Sequence, residues 1–229
     1  MLVQLLTHTP EPEQVVAAAA RLCYSASSID QLLEKSRSDR EVFLNKILAL
    51  GHFSVLEHAS FTFGIEGISR ACSHQLVRHR LASYAQQSQR YVSYKERFAA
   101  VTPPSVADQP ELNKRYEALL TEIHQVYREF IDAGIPAEDA RFVLPNAAAT
   151  KLVLTMNARE LFLFFNLRCC RRAQWEIRAM AKEMLRLARR SAPLIFAGAG
   201  PGCLKGTCPE GPMSCGAAAE VRREYKELS

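Results

Sequence analysis

The chain has 229 residues, 48% hydrophobic and 23% charged, with a net charge of +5, the balance of an ordinary globular protein with one sizeable core. No apolar run approaches the ~20 residues that span a bilayer, and the opening MLVQLLTHTPEPEQ lacks a basic n-region and a cleavage site. A membrane span and a signal peptide are therefore not expected, and seven cysteines, two of them adjacent at Cys169 and Cys170, suit a reducing cytoplasm.

Val3 to Thr7 reads as a short strand, and Pro10 and Glu11 open a helix through Val15, Val16, Ala19 and Leu22. Ser28 N-caps a second helix to about Lys35, and a third begins near Asp39, buries Phe43, Ile47 and Leu50, and stops at Gly51. Phe61 to Ile65 alternates as a strand does. Leu112, Tyr116, Leu119, Ile123, Val126 and Phe130 recur every three or four residues, which predicts a long amphipathic helix ending near Gly134. Thr150 to Met156 reads as a buried strand, followed by helices over 158–168 and 173–190. Nothing has the G-x-G-x-x-G pattern of a dinucleotide-binding fold. The expectation is one α+β domain over 1–197 with an antiparallel or mixed sheet, long helices and no Rossmann fold. A small, loosely attached Cys/Gly/Pro-containing tail fills 198–229.

Basic residues are unevenly chosen, with 21 Arg against 8 Lys, and they cluster at 78–90 and 168–172. In Arg78-His79-Arg80, then Ser88-Gln89-Arg90, three guanidiniums and an imidazole stand among Ser83, Tyr84, Gln86, Gln87 and Tyr91. Planar, bidentate donors suit phosphate, and the hydroxyls and amides can read a ring edge. The segment reads as an anion-binding wall for a phosphorylated ligand.

RHRLASYAQQSQRY, an RHR-x7-S pattern, resembles the signature of the flavin-dependent thymidylate synthases. Three further blocks follow the family's order: Gly51-His52-Phe53-Ser54-Val55-Leu56-Glu57-His58, Arg141 to Pro145, and Asn157-Ala158-Arg159 through Asn166-Leu167-Arg168 to Ile177. The resemblance implies conversion of dUMP to dTMP, with FAD as cofactor, methylenetetrahydrofolate as one-carbon donor and NADPH as reductant, and no cysteine nucleophile. The flavin then relays reducing equivalents and, in the family, also carries the one-carbon unit. It further implies a homotetramer with sites shared between subunits. Carried over residue by residue, dUMP would be met by Gln75, Leu76, Val77, Arg78, Gln86, Gln87, Ser88, Gln89, Arg90, Arg141 and Arg168. FAD would be met by Ser54, Arg78, His79, Arg80, Gln86, Asn157, Ala158, Arg159 and Leu163, and His52 would face the flavin or the folate. The resemblance gives Arg168 the catalytic role, in which it would stabilise an N3 anion so that uracil C5 gains electron density. Gln86 departs from a Glu in many relatives, and Leu163 from an Asn in some.

Each feature also has a plainer reading. Arg141 and Arg168 could cap helix C-termini or pair with acidic neighbours. His8 and His124 read as surface or packed residues. Cys72, in the apolar run from Ile68 to Val77, reads as buried and not as a nucleophile. Cys203-x4-Cys208-x6-Cys215 lacks paired C-x2-C knuckles, so no metal is expected. Arg interleaved with Tyr84, Tyr91 and Tyr94 also fits single-stranded nucleic acid, against which the modest charge weighs. No nucleic acid or membrane partner is expected.

Overall fold

The computed structural model describes residues 1–228. In chain order the elements are β1 (Leu2–His8), α1 (Pro12–Leu22), α2 (Ile29–Ser38), α3 (Arg40–Ala49), β2 (Ser60–Ser69), α4 (Arg70–Leu76) and β3 (Ala82–Gln86). They continue with α5 (Pro104–Ala107), α6 (Pro110–Asp132), α7 (Ala137–Ala140), β4 (Ala149–Asn157), α8 (Ala158–Arg168), α9 (Trp175–Ser191), α10 (Pro193–Phe196) and α11 (Ala218–Lys226). The fold is α+β, as expected, around an antiparallel sheet of order β1-β2-β4-β3.

The two central strands show why these residues form a sheet. Phe61, Phe63 and Ile65 on β2, and Thr150, Leu152, Leu154 and Met156 on β4, are buried at every second position. Side chains of a strand alternate between faces, so each strand commits one face to a core. The chain divides into two compact units: residues 1–2, 65–78 and 84–153, and residues 3–64, 79–83 and 154–229. β2, β3 and β4 each pass from one unit into the other, so neither unit is a separate stretch of sequence.

In the first unit, Phe98, Leu120 and Ala148 form a core edged by Tyr94, Tyr116, Ile123 and Leu144. Tyr127 is fully buried, and its hydroxyl accepts the Tyr94 N–H at 3.3 Å. α6 is the long helix the periodicity predicts, but its apolar stripe is only partly covered. Leu120 and Tyr127 are buried, whereas Leu112, Leu119 and Phe130 stay 51%, 50% and 37% exposed. The positions that meet this core lie on a strip narrower than the apolar face.

The second unit packs α8, α9 and α10 around rings. Phe196 meets Phe61 edge-on at 5.2 Å between centroids, stacks on Phe162 at 5.6 Å and meets Phe165 at 6.0 Å. Offset and edge-to-face aromatic pairs add to the burial of the rings themselves. Ser28 caps α2 as expected, through a reciprocal capping box with Gln31. On α3 the buried residues are Leu44 and Ile47, while Leu50 is 71% exposed. Phe43 instead lies under the Arg21 guanidinium, 3.9 Å from the ring centroid, and Arg21 is paired with Asp39.

Besides the single-turn helices α5, α7 and α10, three elements depart from the sequence expectation. β3 lies inside the Arg-rich motif, α4 replaces a plain apolar run, and α11 lies in the supposedly loose tail. That tail is tied down. Arg189 donates to the carbonyls of Ala199 at 3.0 Å, Tyr225 at 2.8 Å and Leu228 at 2.7 Å, and the Tyr225 hydroxyl donates to the Cys169 carbonyl at 3.0 Å. Lys182 and Glu224 add an ion pair at 2.6 Å.

Phe196→Ala should lower stability by about 3–5 kcal/mol, because it opens a void between three rings. Urea unfolding followed by far-UV dichroism measures this, and a loss under about 1 kcal/mol would contradict the central place given to Phe196.

Candidate functional site

Each unit contains a cleft. The cleft of the first unit, about 320 Å³, is lined by Arg70, His74, Gln89, Arg141, Pro145 and Asn146 among others. α4 positions the first two: Ser69 caps it by accepting the Cys72 N–H at 3.0 Å, and residues 70 and 74 fall on one helical face. Arg70 also donates to Gln89 Oε1 at 3.0 Å. Burial, and then the nearby Arg141 charge, hold the Arg70 guanidinium below its usual value, offset in part by Tyr94. Two guanidiniums that repel each other in one cleft are stabilised by an anion between them.

Of the residues carried over for dUMP, this cleft gathers Gln89 and Arg141, and it adds Arg70 and His74, which the motif reading missed. Only their i, i+4 spacing could have pointed to them. Arg141 donates through Nε to the Glu138 carbonyl at 3.0 Å, and Arg90 pairs with the Glu138 carboxylate at 2.8 Å, so both are pre-positioned by α7. Gln86 donates to Thr150 at 3.2 Å, and Ser88 accepts the Arg90 N–H at 3.1 Å. Leu76 is fully buried, with its carbonyl accepting the Tyr84 hydroxyl at 2.9 Å. Gln75, Leu76, Val77, Arg78, Gln86, Gln87, Ser88, Arg90 and Arg168 do not line the cleft. Cys72 is fully buried on α4.

The cleft of the second unit is larger, about 680 Å³, and mostly apolar. Phe53, Leu81, Phe162 and Leu163 supply broad walls, and Asn157, Arg159, Asn166 and Lys205 supply polar groups. Asn157, Arg159 and Leu163 of the residues carried over for flavin meet here. Asn157 also caps α8, its Oδ1 accepting the Glu160 N–H at 2.9 Å. Arg159 is paired with Glu57. Ala158 is buried and donates its N–H to Ala59 at 2.7 Å. Ser54, Arg78 and Arg80 are exposed and His52 half-buried, and none of them lines the cleft.

His79, the middle residue of the triplet, points inward. Arg168 Nε donates to His79 Nε2 at 3.0 Å, and His79 Nδ1 faces Glu160 Oε1 at 3.4 Å. A ring nitrogen that accepts from a guanidinium carries no proton, so the neutral imidazole holds its proton on Nδ1. Burial, and then the Arg168 charge, push the His79 pKa down to about 4. Among the described residues Arg168 has no carboxylate partner, and a neutral ring orients it.

Cys170, Cys203, Cys208 and Cys215 border one small recess beside Arg171 and Arg172. Burial pushes the Cys203 thiol up. Among the described residues no three His, Cys, Asp or Glu side chains are arranged to hold a metal ion, and no disulfide is formed. No helix among them is long and apolar enough to cross a membrane.

The family model described as "Thymidylate synthase complementing protein" matches residues 4–194. A flavin-dependent thymidylate synthase of Geobacter sulfurreducens is 62% identical over 100% of both chains. Proteins of the same name from Clostridium tetani and Pyrococcus furiosus are 46% identical, over 97% of this chain and 96% of the relative, and 44% identical, over 99% and 97%.

Because its folded pKa lies below the usual 6.5, His79 contributes stability that is present above about pH 6.5 and is lost as pH falls through about 4. The thermal midpoint of the wild type should therefore drop more between pH 7 and pH 4.5 than that of His79→Gln, roughly the window between those two values. Parallel drops would mean that the site tolerates a charged ring.

Proposed function

The chain belongs to the thymidylate synthase complementing protein family, and from that premise we propose how its two clefts serve the methylation of dUMP. The enzyme is a methyltransferase that makes thymidylate with a flavin cofactor. We assign the nucleotide phosphate to the Arg70–Arg141 cleft, supported by two guanidiniums with no carboxylate among the cleft's lining residues. Arg90 and Ser88 flank Gln89 in sequence, and we assign them to that contact too, although they lie outside the cleft's lining.

The flavin ring is assigned to the larger cleft. Its aromatic and aliphatic walls fit a planar heteroaromatic, and Asn157 and Arg159 fit its acceptor edge. When bound, the flavin supplies the reducing equivalents. Methylenetetrahydrofolate as one-carbon donor and NADPH as reductant complete the balance of a reductive methylation. FAD is the form proposed, since Arg78 and Arg80 are exposed and suited to its diphosphate.

One observation carries the mechanism: Arg168 is oriented by the neutral His79 ring and not by a carboxylate. A carboxylate partner would cancel most of its field. An imidazole leaves the positive charge available to stabilise an N3 anion of uracil, which moves electron density to C5. His79 holds no proton on Nε2, Glu160 keeps that tautomer, and neither group is asked to attack the base. Cys72 is fully buried, which supports a route without a cysteine nucleophile.

A homotetramer with sites shared between subunits is the proposed assembly. The uncovered α6 residues Leu112, Leu119 and Phe130, which share one stripe by helical spacing, support it, since exposed apolar side chains on one helix face suit an interaction surface. The cytoplasm is the proposed compartment, supported by seven cysteines without a disulfide.

Arg168→Ala should retain flavin yet lose thymidylate formation by roughly 100-fold or more, the scale of losing one electrostatic stabiliser. Flavin absorbance and product assay on one sample test this, and near-wild-type turnover would refute the assignment. Cys72→Ala should keep turnover within about tenfold, any loss tracking stability through the small void. A folded, flavin-loaded Cys72→Ala without turnover would restore a cysteine mechanism.

A further inference from the structure

The family match ends at residue 194, yet one wall of the larger cleft comes from beyond it: Gly198, Gly200, Pro201, Gly202, Leu204 and Lys205 all line the cavity. This strap is fixed by two arginines. Arg189 donates to the Ala199 carbonyl at 3.0 Å, and Arg222 to the Cys203 carbonyl at 2.9 Å and to the Gly206 carbonyl. Close approach requires one of its glycines, Gly202, and another, Gly198, lies under the movable end of Lys205. A Cβ at Gly198 would stand 2.9 Å from Lys205 Cε and Nζ, and one at Gly202 would stand 2.7 Å from Pro209 Cγ. The Lys205 chain thus lies across the bare backbone of Gly198.

Charge separates Lys205 from the other cation of the cleft. Arg159 is already paired with Glu57, whereas among the described residues Lys205 has no carboxylate partner. An ammonium beside an apolar, aromatic-walled cavity suits a planar ring that carries an anionic arm.

We propose that the strap over residues 198–205 is part of the ligand site and that Lys205 binds an anionic group attached to the ring held there. The proposal rests on the assignment of that cleft to a planar cofactor. Two anions share this chemistry, the diphosphate of a flavin dinucleotide and the glutamate carboxylates of a folate.

The test is fluorescence titration of full-length wild type, Lys205→Gln and Lys205→Arg with FAD, riboflavin, folate and pterin. Lys205→Gln should weaken FAD or folate about tenfold, less at high salt, and leave the matching anion-free ring, riboflavin or pterin, unchanged. Lys205→Arg should restore most of the affinity. A selective loss for FAD over riboflavin identifies the diphosphate, and one for folate over pterin the glutamate. No loss, or equal losses for the bare rings, overturns the role of Lys205. If the wild type bound neither FAD nor folate, the cofactor assignment itself would fall, and this proposal with it.

Discussion

An arginine lends its full charge to a ligand only if whatever orients it leaves that charge unspent, and the placing of Arg168 follows from that constraint. Carboxylate-paired arginines fix geometry: Arg21 with Asp39 closes α1 onto α3, and Arg159 with Glu57 braces the large cleft. Arg189 and Arg222 are held by backbone carbonyls, which satisfy the donors of a guanidinium at sites where segments must be joined. Arg168 is held differently, by a ring that accepts one hydrogen bond and contributes no charge. Removing a proton from Nε2 costs little in a buried imidazole, because burial already favours the neutral form.

The same division explains why a chain so rich in arginine is not simply a polyanion binder. Most of its guanidiniums are engaged within the protein, and those that border clefts without a carboxylate do so in small numbers. Affinity for a long, uniformly charged partner needs many unpaired cations in a stripe. Two cations converging on one cleft suit a single phosphate better.

Much of the fold was legible because periodicity and end signals agreed. Ser28 and Gln31 close a capping box at the predicted start of α2, and Gly51 takes the positive φ, 73°, that stops the chain after α3. β3 was hidden because its inner face is only half-buried and carries Ala82, Tyr84 and Gln86, so its alternation is not an apolar–polar one. α3 misled because two adjacent apolar residues, Phe43 and Leu44, differ by one position in which meets the core. Motif spacing named Arg141, which lines the smaller cleft, and Asn157 and Arg159, which line the larger, but it carried no information on orientation. That His79 turns inward while Arg78 and Arg80 face outward depends on Glu160, 81 positions away in sequence, which pattern alone cannot pair with it. Arg70 and His74 were missed for the opposite reason: they belong to a short helix whose apolar neighbours masked it.

The Arg189 clamp has a consequence for biosynthesis. The carbonyls of Tyr225 and Leu228 lie 36 and 39 residues after the guanidinium that binds them. Synthesis therefore makes α9 before it makes the residues that its Arg189 binds. Until those residues emerge, Arg189 has part of its hydrogen-bonding capacity unmet, and the strap that walls the large cleft has no fixed course. The hydrogen bonding of the second unit is thus completed only once its last helix has been made.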